Sequence, residues 1–191
     1  MQNHLSRLWF LSQGCKQVPL EYTRNIVRWG HPDGYFLNAQ GQKVAHNYPP
    51  SQRIGGNSNT NGGNYPRMRE TGGQFCHVLM ALAFYGERSI DPSTGKACVC
   101  HHLIPDKLDY RPANLLCWLT REQHYEADRR QRALRQVLPD MHDLTYDDHR
   151  RLQDPRVTSH EEFDKSLSSF ITGELNSPLK ISQQYGTNNV L

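Results

Sequence analysis

The chain has 191 residues, enough for one medium-sized domain or for a small core with extensions. Lys and Arg number 22 against 19 Asp and Glu, so the net charge of +3 neither requires nor excludes a nucleic-acid partner. Only 36% of the residues are hydrophobic, and no apolar run is long enough to cross a membrane. We recognise no targeting segment and expect a cytoplasmic protein with a modest core.

The first part of the chain, residues 1–64, predicts a β-hairpin followed by a loop. Residues 35–37 have the composition of a strand, residues 38–41 that of a turn, and residues 43–44 that of a return strand. Residues 47–64 are rich in Asn, Gly, Ser and Pro and predict a loop that buries little apolar area.

The next segment predicts a short strand and an amphipathic helix. Residues 65–69 have strand character and are followed by a turn at Gly72 and Gly73. Apolar residues then recur at helical spacing, and Gly86 suits the C-terminal cap of that helix. The apolar positions are Phe75, Val78, Leu79, Leu82 and Ala83.

Residues 98–124 have the sequence CVCHHLIPDKLDYRPANLLCWLTREQH and contain the paired histidines His101 and His102, followed by Asn114 and His124. The apolar runs at 97–103 and 115–119 predict two strands, and Pro105 interrupts the chain after the first. Thr120 and Gln123 have the spacing of a capping box, so a helix should begin there. We expect strand, loop, strand and helix in that order.

Three histidines and an asparagine in this stretch predict phosphodiester hydrolysis assisted by a divalent ion. His101 and His102 are adjacent on a strand, so their side chains should face opposite ways and do different tasks. One can bind a metal ion while the other accepts a proton from water. The amide of Asn114 can fix the loop or orient the base, and His124 lies in the first turn of the predicted helix.

This stretch resembles the His-Asn-His (HNH) nucleases, and most closely those of phages, introns and homing endonucleases. The resemblance lies in Val99, in His101-His102-Leu103, in Arg111-Pro112-Ala113-Asn114-Leu115 and in Trp118-Leu119-Thr120, ending at His124. It implies an α+β fold with a ββα-metal (His-Me finger) core, an N-terminal β-hairpin region and C-terminal helices. It further implies that His102 is the general base, that Asn114 positions it, and that His101 and His124 bind the metal. The implied cofactor is Mg²⁺, with Mn²⁺ or Zn²⁺ as alternatives, and the implied partner is DNA.

The stretch also departs from the family pattern at several positions. His101 stands where many relatives have Asp, and Asp109-Tyr110 replaces the usual Asn pair. One extra residue separates Asn114-Leu115 from Trp118. We expect a β-bulge in the second strand to absorb it, which would keep His124 in place.

Two weaker resemblances extend the family likeness toward the N-terminus. The segment from His77 to Phe84 resembles the helix that precedes the metal site in phage-type HNH nucleases. Tyr35, Asn38, Gly41 and Val44 resemble the small module that often precedes the nuclease in homing endonucleases. An ordinary hairpin explains that second pattern equally well.

Cationic residues near the motif are candidate phosphate contacts. They comprise Lys107, Arg111, Arg129 and Arg130, with Arg132 and Arg135 further along the same helix. A charged helix face that only contacts solvent is the alternative for these arginines.

The last segment, residues 139–191, predicts a C-terminal helical extension to a nuclease core at 65–138. Residues 144–152 suggest a short helix, and Ser159 to Glu162 form a second capping-box pattern. The helix that follows should pack on the helix of residues 124–138, with Gly173 at its end. Residues 177–191 are polar, and we expect them to be frayed.

Two other functional hypotheses remain open from the sequence. The first is a DNA-binding module of the same fold that has lost catalysis. The second is a zinc-stabilised structural domain with His and Cys ligands, although the five Cys residues include no Cys-x-x-Cys pair. We expect Cys98, Cys100 and Cys117 to pack as small apolar residues instead, as in a reducing compartment.

Overall fold

The computed structural model describes residues 5–45, 65–138 and 140–172, and these form an α+β fold. Its helices are α1 (Arg7–Ser12), α2 (Cys76–Tyr85), α3 (Arg121–Val137), α4 (Tyr146–Gln153) and α5 (His160–Ile171). Its strands are β1 (Lys16–Gln17), β2 (Trp29–His31), β3 (Tyr35–Leu37), β4 (Arg67–Met68), β5 (Gln74–Phe75), β6 (Val99–His102) and β7 (Leu115–Leu119). The predictions for residues 46–64, for Gly173 and for residues 177–191 lie outside the described residues.

The N-terminal strands form an antiparallel sheet in the order β1-β2-β3. The strand expected at residues 35–37 is present, but its main partner is β2, which the sequence analysis did not predict. The expected return strand at residues 43–44 contributes one isolated bridge between Leu37 and Lys43. The turn before it has a positive φ at Gly41, as a tight turn requires.

Helix α2 joins the N-terminal sheet to the central hairpin. Gly30 in β2 allows the close approach, since a Cβ there would lie 2.8 Å from the sulfur of Met80. One apolar cluster contains Val18 and Phe36 together with α2 residues and Leu115 of β7. The N-terminal segment therefore shares a core with the predicted nuclease segment across the expected boundary at residue 64. Gly86 ends α2 with a φ of 80°, as predicted for its cap.

Strands β6 and β7 form an antiparallel hairpin that is followed directly by α3. Thr120 and Gln123 make both hydrogen bonds of the predicted capping box, so α3 begins where the sequence indicates. The helix packs against both strands of the hairpin. Leu103 and Leu116 of the hairpin region meet Ala127 of α3 in a fully buried cluster.

The C-terminal helices pack on the far end of α3. Ser159 and Glu162 form the second predicted capping box, and Phe163 of α5 is fully buried beside Leu134 of α3. This confirms the expected packing of the C-terminal helix on the helix of residues 124–138. Among the described residues, no helix is both long enough and apolar enough to cross a membrane.

Candidate metal centre and its catalytic neighbour

A β-bulge sets the register of the hairpin that holds the histidines. Val99 pairs with Leu119 and His101 with Leu116, so β7 contains one more residue than β6 between these two pairs. Trp118 takes the left-handed conformation there, with a φ of 59°. The bulge expected from the extra residue is therefore present. The bulge absorbs the extra residue, so the strands pair on both sides of it and Thr120 remains the N-cap of α3.

His101 faces α3 and α4, where Gln153 determines which of its ring nitrogens carries a proton. Nε2 of Gln153 donates to the carbonyl of Leu103 at 2.9 Å and to His149 Nδ1 at 2.9 Å. Its Oε1 must therefore face His101, whose Nε2 lies 3.0 Å away and donates to it. In the neutral ring the lone pair is then on Nδ1, the nitrogen that faces Asp128 and can bind a metal ion there.

Asp128 meets both candidate metal ligands, His101 and His124, on the other side of the His101 ring. Its Oδ1 lies 3.1 Å from Nδ1 of His101, and its Oδ2 lies 3.4 Å from Nδ1 of His124. His124 and Asp128 are one turn apart on α3, so they project from the same face. Ligand atoms from His101, His124 and Asp128 all lie within 4.8 Å of one another.

The spacing and protonation of this cluster fit a divalent cation. Two donors bound to one ion at about 2.0 to 2.2 Å lie about 2.8 to 3.6 Å apart, and both separations to Asp128 fall in that range. Burial and the nearby His101 and Arg121 lower the pKa of His124, although Asp128 opposes this, so its imidazole is neutral at pH 7. Burial raises the pKa of Asp128, but interactions with His101, His124 and Arg132 outweigh it and hold the pKa below its usual value.

His102 points away from this cluster but borders the same cavity. Its side chain lies among the rings of Tyr65 and His77, with ring centroids 5.6 Å and 5.2 Å away. Burial, with the charge of His101, lowers the pKa of His102 to about 4, so the ring is neutral at pH 7. Its Nε2 is buried without a hydrogen-bond partner among the described residues. A cavity of about 220 Å³ is lined by His101, His102, His124, Asp128 and Lys107, among others.

Asn114 holds the loop between the two strands rather than contacting a histidine directly. Its Oδ1 accepts from the backbone N–H of Ile104 at 2.7 Å. Its Nδ2 donates to the carbonyl of Ile104 at 3.2 Å and to that of Asp109 at 2.9 Å. Asn114 is fully buried. Its backbone carbonyl accepts a hydrogen bond from the backbone N–H of Leu103, the residue after His102. The sequence left two roles open for Asn114, fixing the loop or orienting the base. Its side-chain contacts are to the loop backbone and fit the first role.

The four candidate phosphate-binding residues have different environments. Lys107 is exposed, lines the cavity with the histidines and lies over the ring of Tyr65. Arg111 is bound to Asp109 through two nitrogens at 2.7 Å, and Arg129 is bound to Glu126 in the same way.

Arg130 differs from the other three because it is 2% exposed. Its guanidinium donates to Glu126 and to the carbonyls of Leu152 and Thr158. This burial argues against the phosphate contact that the sequence suggested. It makes Arg130 a structural residue that joins α3 to the end of α4 and to the segment that follows it.

The cysteines lie outside the metal cluster. All five are free, and four of them are buried. Burial raises the pKa of Cys117, with a further contribution from Cys100 beside it. Cys117 is part of an apolar cluster, Cys100 packs against it, and Cys98 is buried, as expected from the sequence for small apolar residues.

Sequence reasoning missed two residues of the site. Asp128 had a visible signal, since a carboxylate four residues after a helical histidine shares its face. Gln153 had none, because it lies 52 residues from His101 and meets it only through the packing of α4. Comparison of the chain with protein-family models, with curated proteins and with solved structures found no match.

Proposed function

We propose that this chain is an HNH-type endonuclease with a ββα-metal core formed by β6, β7 and α3. In this proposal it hydrolyses DNA phosphodiester bonds with one divalent ion bound by His101, His124 and Asp128. The observation that supports it most is the convergence of these three donors beside a neutral histidine, His102, at one cavity.

The donor set indicates which cations suit the site. The sequence resemblance favoured Mg²⁺, which prefers oxygen ligands in near-ideal octahedral geometry. Two imidazoles and one carboxylate suit Mn²⁺ or Zn²⁺ better. A bound ion would supply Lewis-acid stabilisation of the phosphate and of the leaving oxygen.

The protein's own residues perform the proton transfer and the positioning. The neutral ring of His102 accepts a proton from the attacking water, whose oxygen forms the new bond to phosphorus. The bond from phosphorus to the 3′ oxygen then breaks, and the departing 3′ oxygen takes up a proton from solvent, which leaves a 5′ phosphate and a 3′ hydroxyl. Asn114 keeps the loop after β6 in place, and with it the backbone next to His102.

Lys107 is the first candidate for binding a DNA phosphate, because it is exposed beside the cluster of His101, His124 and Asp128. Arg111 and Arg129 would exchange an internal ion pair for a phosphate, so we expect smaller contributions from them. Arg130 has no phosphate contact in this proposal, since its guanidinium is buried.

The test is a supercoiled-plasmid assay with Mg²⁺, Mn²⁺ or Zn²⁺, with and without EDTA. We expect metal-dependent nicking by the wild type, and its loss in His102→Ala while DNA binding persists. His142→Ala is the matched control, because His142 is an exposed histidine away from the cavity. Cleavage retained by His102→Ala would refute the assignment. DNA binding without cleavage under any of the three metals would favour the inactive binding module.

A further inference from the structure

A second cavity of about 390 Å³ adjoins the metal cluster. Tyr65, Cys100 and His124 line both this volume and the smaller cavity that contains His101 and His102. Its size falls within the range of about 300 to 1,000 Å³ usual for small-ligand sites. We call it the aromatic cavity, since its lining includes Tyr65, Phe75, Trp118 and Tyr125.

The aromatic cavity offers flat apolar surfaces on which a planar ring can stack. Tyr65 and Phe75 meet edge to face, with centroids 5.9 Å apart. Tyr125 is 65% exposed although it borders the cavity, so one face of its ring is available to a ligand. Stacking of nucleic-acid bases on aromatic side chains contributes about 1 to 3 kcal/mol per base and tolerates any base.

Two buried polar atoms of the lining residues have no partner among the described residues. They are Nδ1 of His77, a residue only 9% exposed, and Nε1 of Trp118. A buried polar atom without a partner is costly, so such atoms in a folded protein need an explanation. The indole N–H only donates, so the partner missing at Trp118 is an acceptor. Carbonyl oxygens and ring nitrogens of a nucleobase are acceptors of this kind.

The charge of the lining favours an anion. Arg88 and Arg121 are its permanently charged residues, and it contains no carboxylate. Arg121 is exposed and is the first residue of α3. Its guanidinium makes no hydrogen bond or ion pair within the part of the chain that the structure describes. A helix N-terminus favours anions as well. A nucleotide combines a flat base with acceptors and a phosphate, and so matches all three properties of the cavity.

We propose that the aromatic cavity binds one unpaired nucleotide, with its base among the aromatic rings and its phosphate toward Arg121. Because the two cavities adjoin, this nucleotide would lie next to the phosphate that is cleaved. That placement rests on the proposed nuclease function, whereas nucleotide binding itself does not. A base inside a duplex cannot enter such a cavity without leaving its stack, which costs a few kcal/mol. The protein should therefore prefer single strands, or duplexes with an unpaired base, over fully paired DNA.

The test measures binding of fluorescein-labelled oligonucleotides by anisotropy in EDTA, where no metal-dependent cleavage can occur. The probes are a single-stranded DNA, its RNA counterpart, the fully paired duplex and a duplex with one unpaired base. We expect tighter binding to the unpaired DNA or RNA probes than to the paired duplex. Tyr125→Ala should weaken the binding of the unpaired probes about 5- to 150-fold, from the loss of one stacking contact.

Arg121→Ala and Arg135→Ala form a matched pair, because both residues are exposed on α3 and only Arg121 borders the cavity. We expect Arg121→Ala to weaken binding of the unpaired probes more than Arg135→Ala does. Both side chains are exposed, so neither variant should impair folding. Equal effects of the two variants, or wild-type affinity in Tyr125→Ala, would overturn the proposal. So would equal affinity of the wild type for paired and unpaired probes.

The two proposals can fail separately. Cleavage lost in His102→Ala, together with no preference for unpaired probes, would leave the nuclease and remove the nucleotide site. The opposite result is binding of unpaired probes that depends on Tyr125 and Arg121, with cleavage unaffected by His102→Ala. It would support the nucleotide site and refute the nuclease assignment.

Discussion

Replacement of Gln153 by Met should weaken metal binding although Gln153 touches no metal. Gln153 is fully buried, and its Oε1 accepts the Nε2–H of His101 at 3.0 Å. Met has a similar length and fills the same space, but it offers no comparable acceptor. The ring of His101 would then lose the bond that keeps the lone pair on Nδ1. Loss of such an outer hydrogen bond typically lowers metal affinity about 10- to 100-fold, or about 1.4 to 2.8 kcal/mol.

The measurement is isothermal titration calorimetry of Mn²⁺ or Zn²⁺ at neutral pH. The fold should survive the change, because the carbonyl of Leu103 keeps a second donor, Nε2 of Gln131, at 2.8 Å. His149→Leu is the matched control, since His149 is equally buried and bonds to the other end of the Gln153 amide. It should leave the metal affinity unchanged.

Two results would refute this reasoning. The first is wild-type metal affinity in Gln153→Met. The second is an equal loss in Gln153→Met and His149→Leu, because affinity would then follow the general stability of the C-terminal helices rather than the His101 tautomer.

Three further predictions concern stability. Arg130→Ala should lower the free energy of unfolding in urea by about 1 to 3 kcal/mol, since the carbonyls of Leu152 and Thr158 lose their donor, whereas Arg135→Ala should change it little. Asn114→Ala should lower the same free energy by about 3 kcal/mol, because backbone groups of the buried loop lose their partners. His77→Phe should flatten the dependence of stability on pH. Unfolded His binds a proton below about pH 6.5, whereas burial lowers the pKa of folded His77 to about 3. The wild type should therefore lose about 1.4 kcal/mol per pH unit from this group as the pH falls between those values.

Each stability prediction has a clear contrary result. Equal unfolding midpoints for Arg130→Ala and Arg135→Ala would mean that the buried guanidinium contributes nothing. An unchanged midpoint in Asn114→Ala would mean the same for the loop contacts. If stability depended on pH equally in His77→Phe and in the wild type, the pH dependence would arise from groups other than His77.

Features that depend on neighbours in sequence were predictable. The capping boxes at Thr120 and Ser159 need only a pattern of four residues, and both are present. The bulge at Trp118 followed from counting one residue too many between two anchored positions. Strand β2 was missed because Trp29-Gly30-His31 is too short to show an alternating pattern.

Features that depend on packing between distant segments were not predictable. The charge pattern of α3 is the same whether Arg130 faces solvent or is covered. Its cover comes from α4, from the segment after α4 and from Phe163 of α5. Gln153 likewise becomes part of the site only because α4 lies against the hairpin. Asp128 was within reach of local reasoning, because its helical spacing from His124 is visible in the sequence.

If the proposed metal site is occupied, the bond between His101 and Gln153 couples metal binding to the docking of the C-terminal helices. If α4 in place strengthens metal binding, bound metal must stabilise the docking of α4 by the same free energy. Saturating metal should then protect residues 140–172 from proteolysis more than it protects the N-terminal sheet. A protease that trims this region would, by the same reciprocity, release the ion, so the C-terminal helices would report on metal occupancy and also limit it.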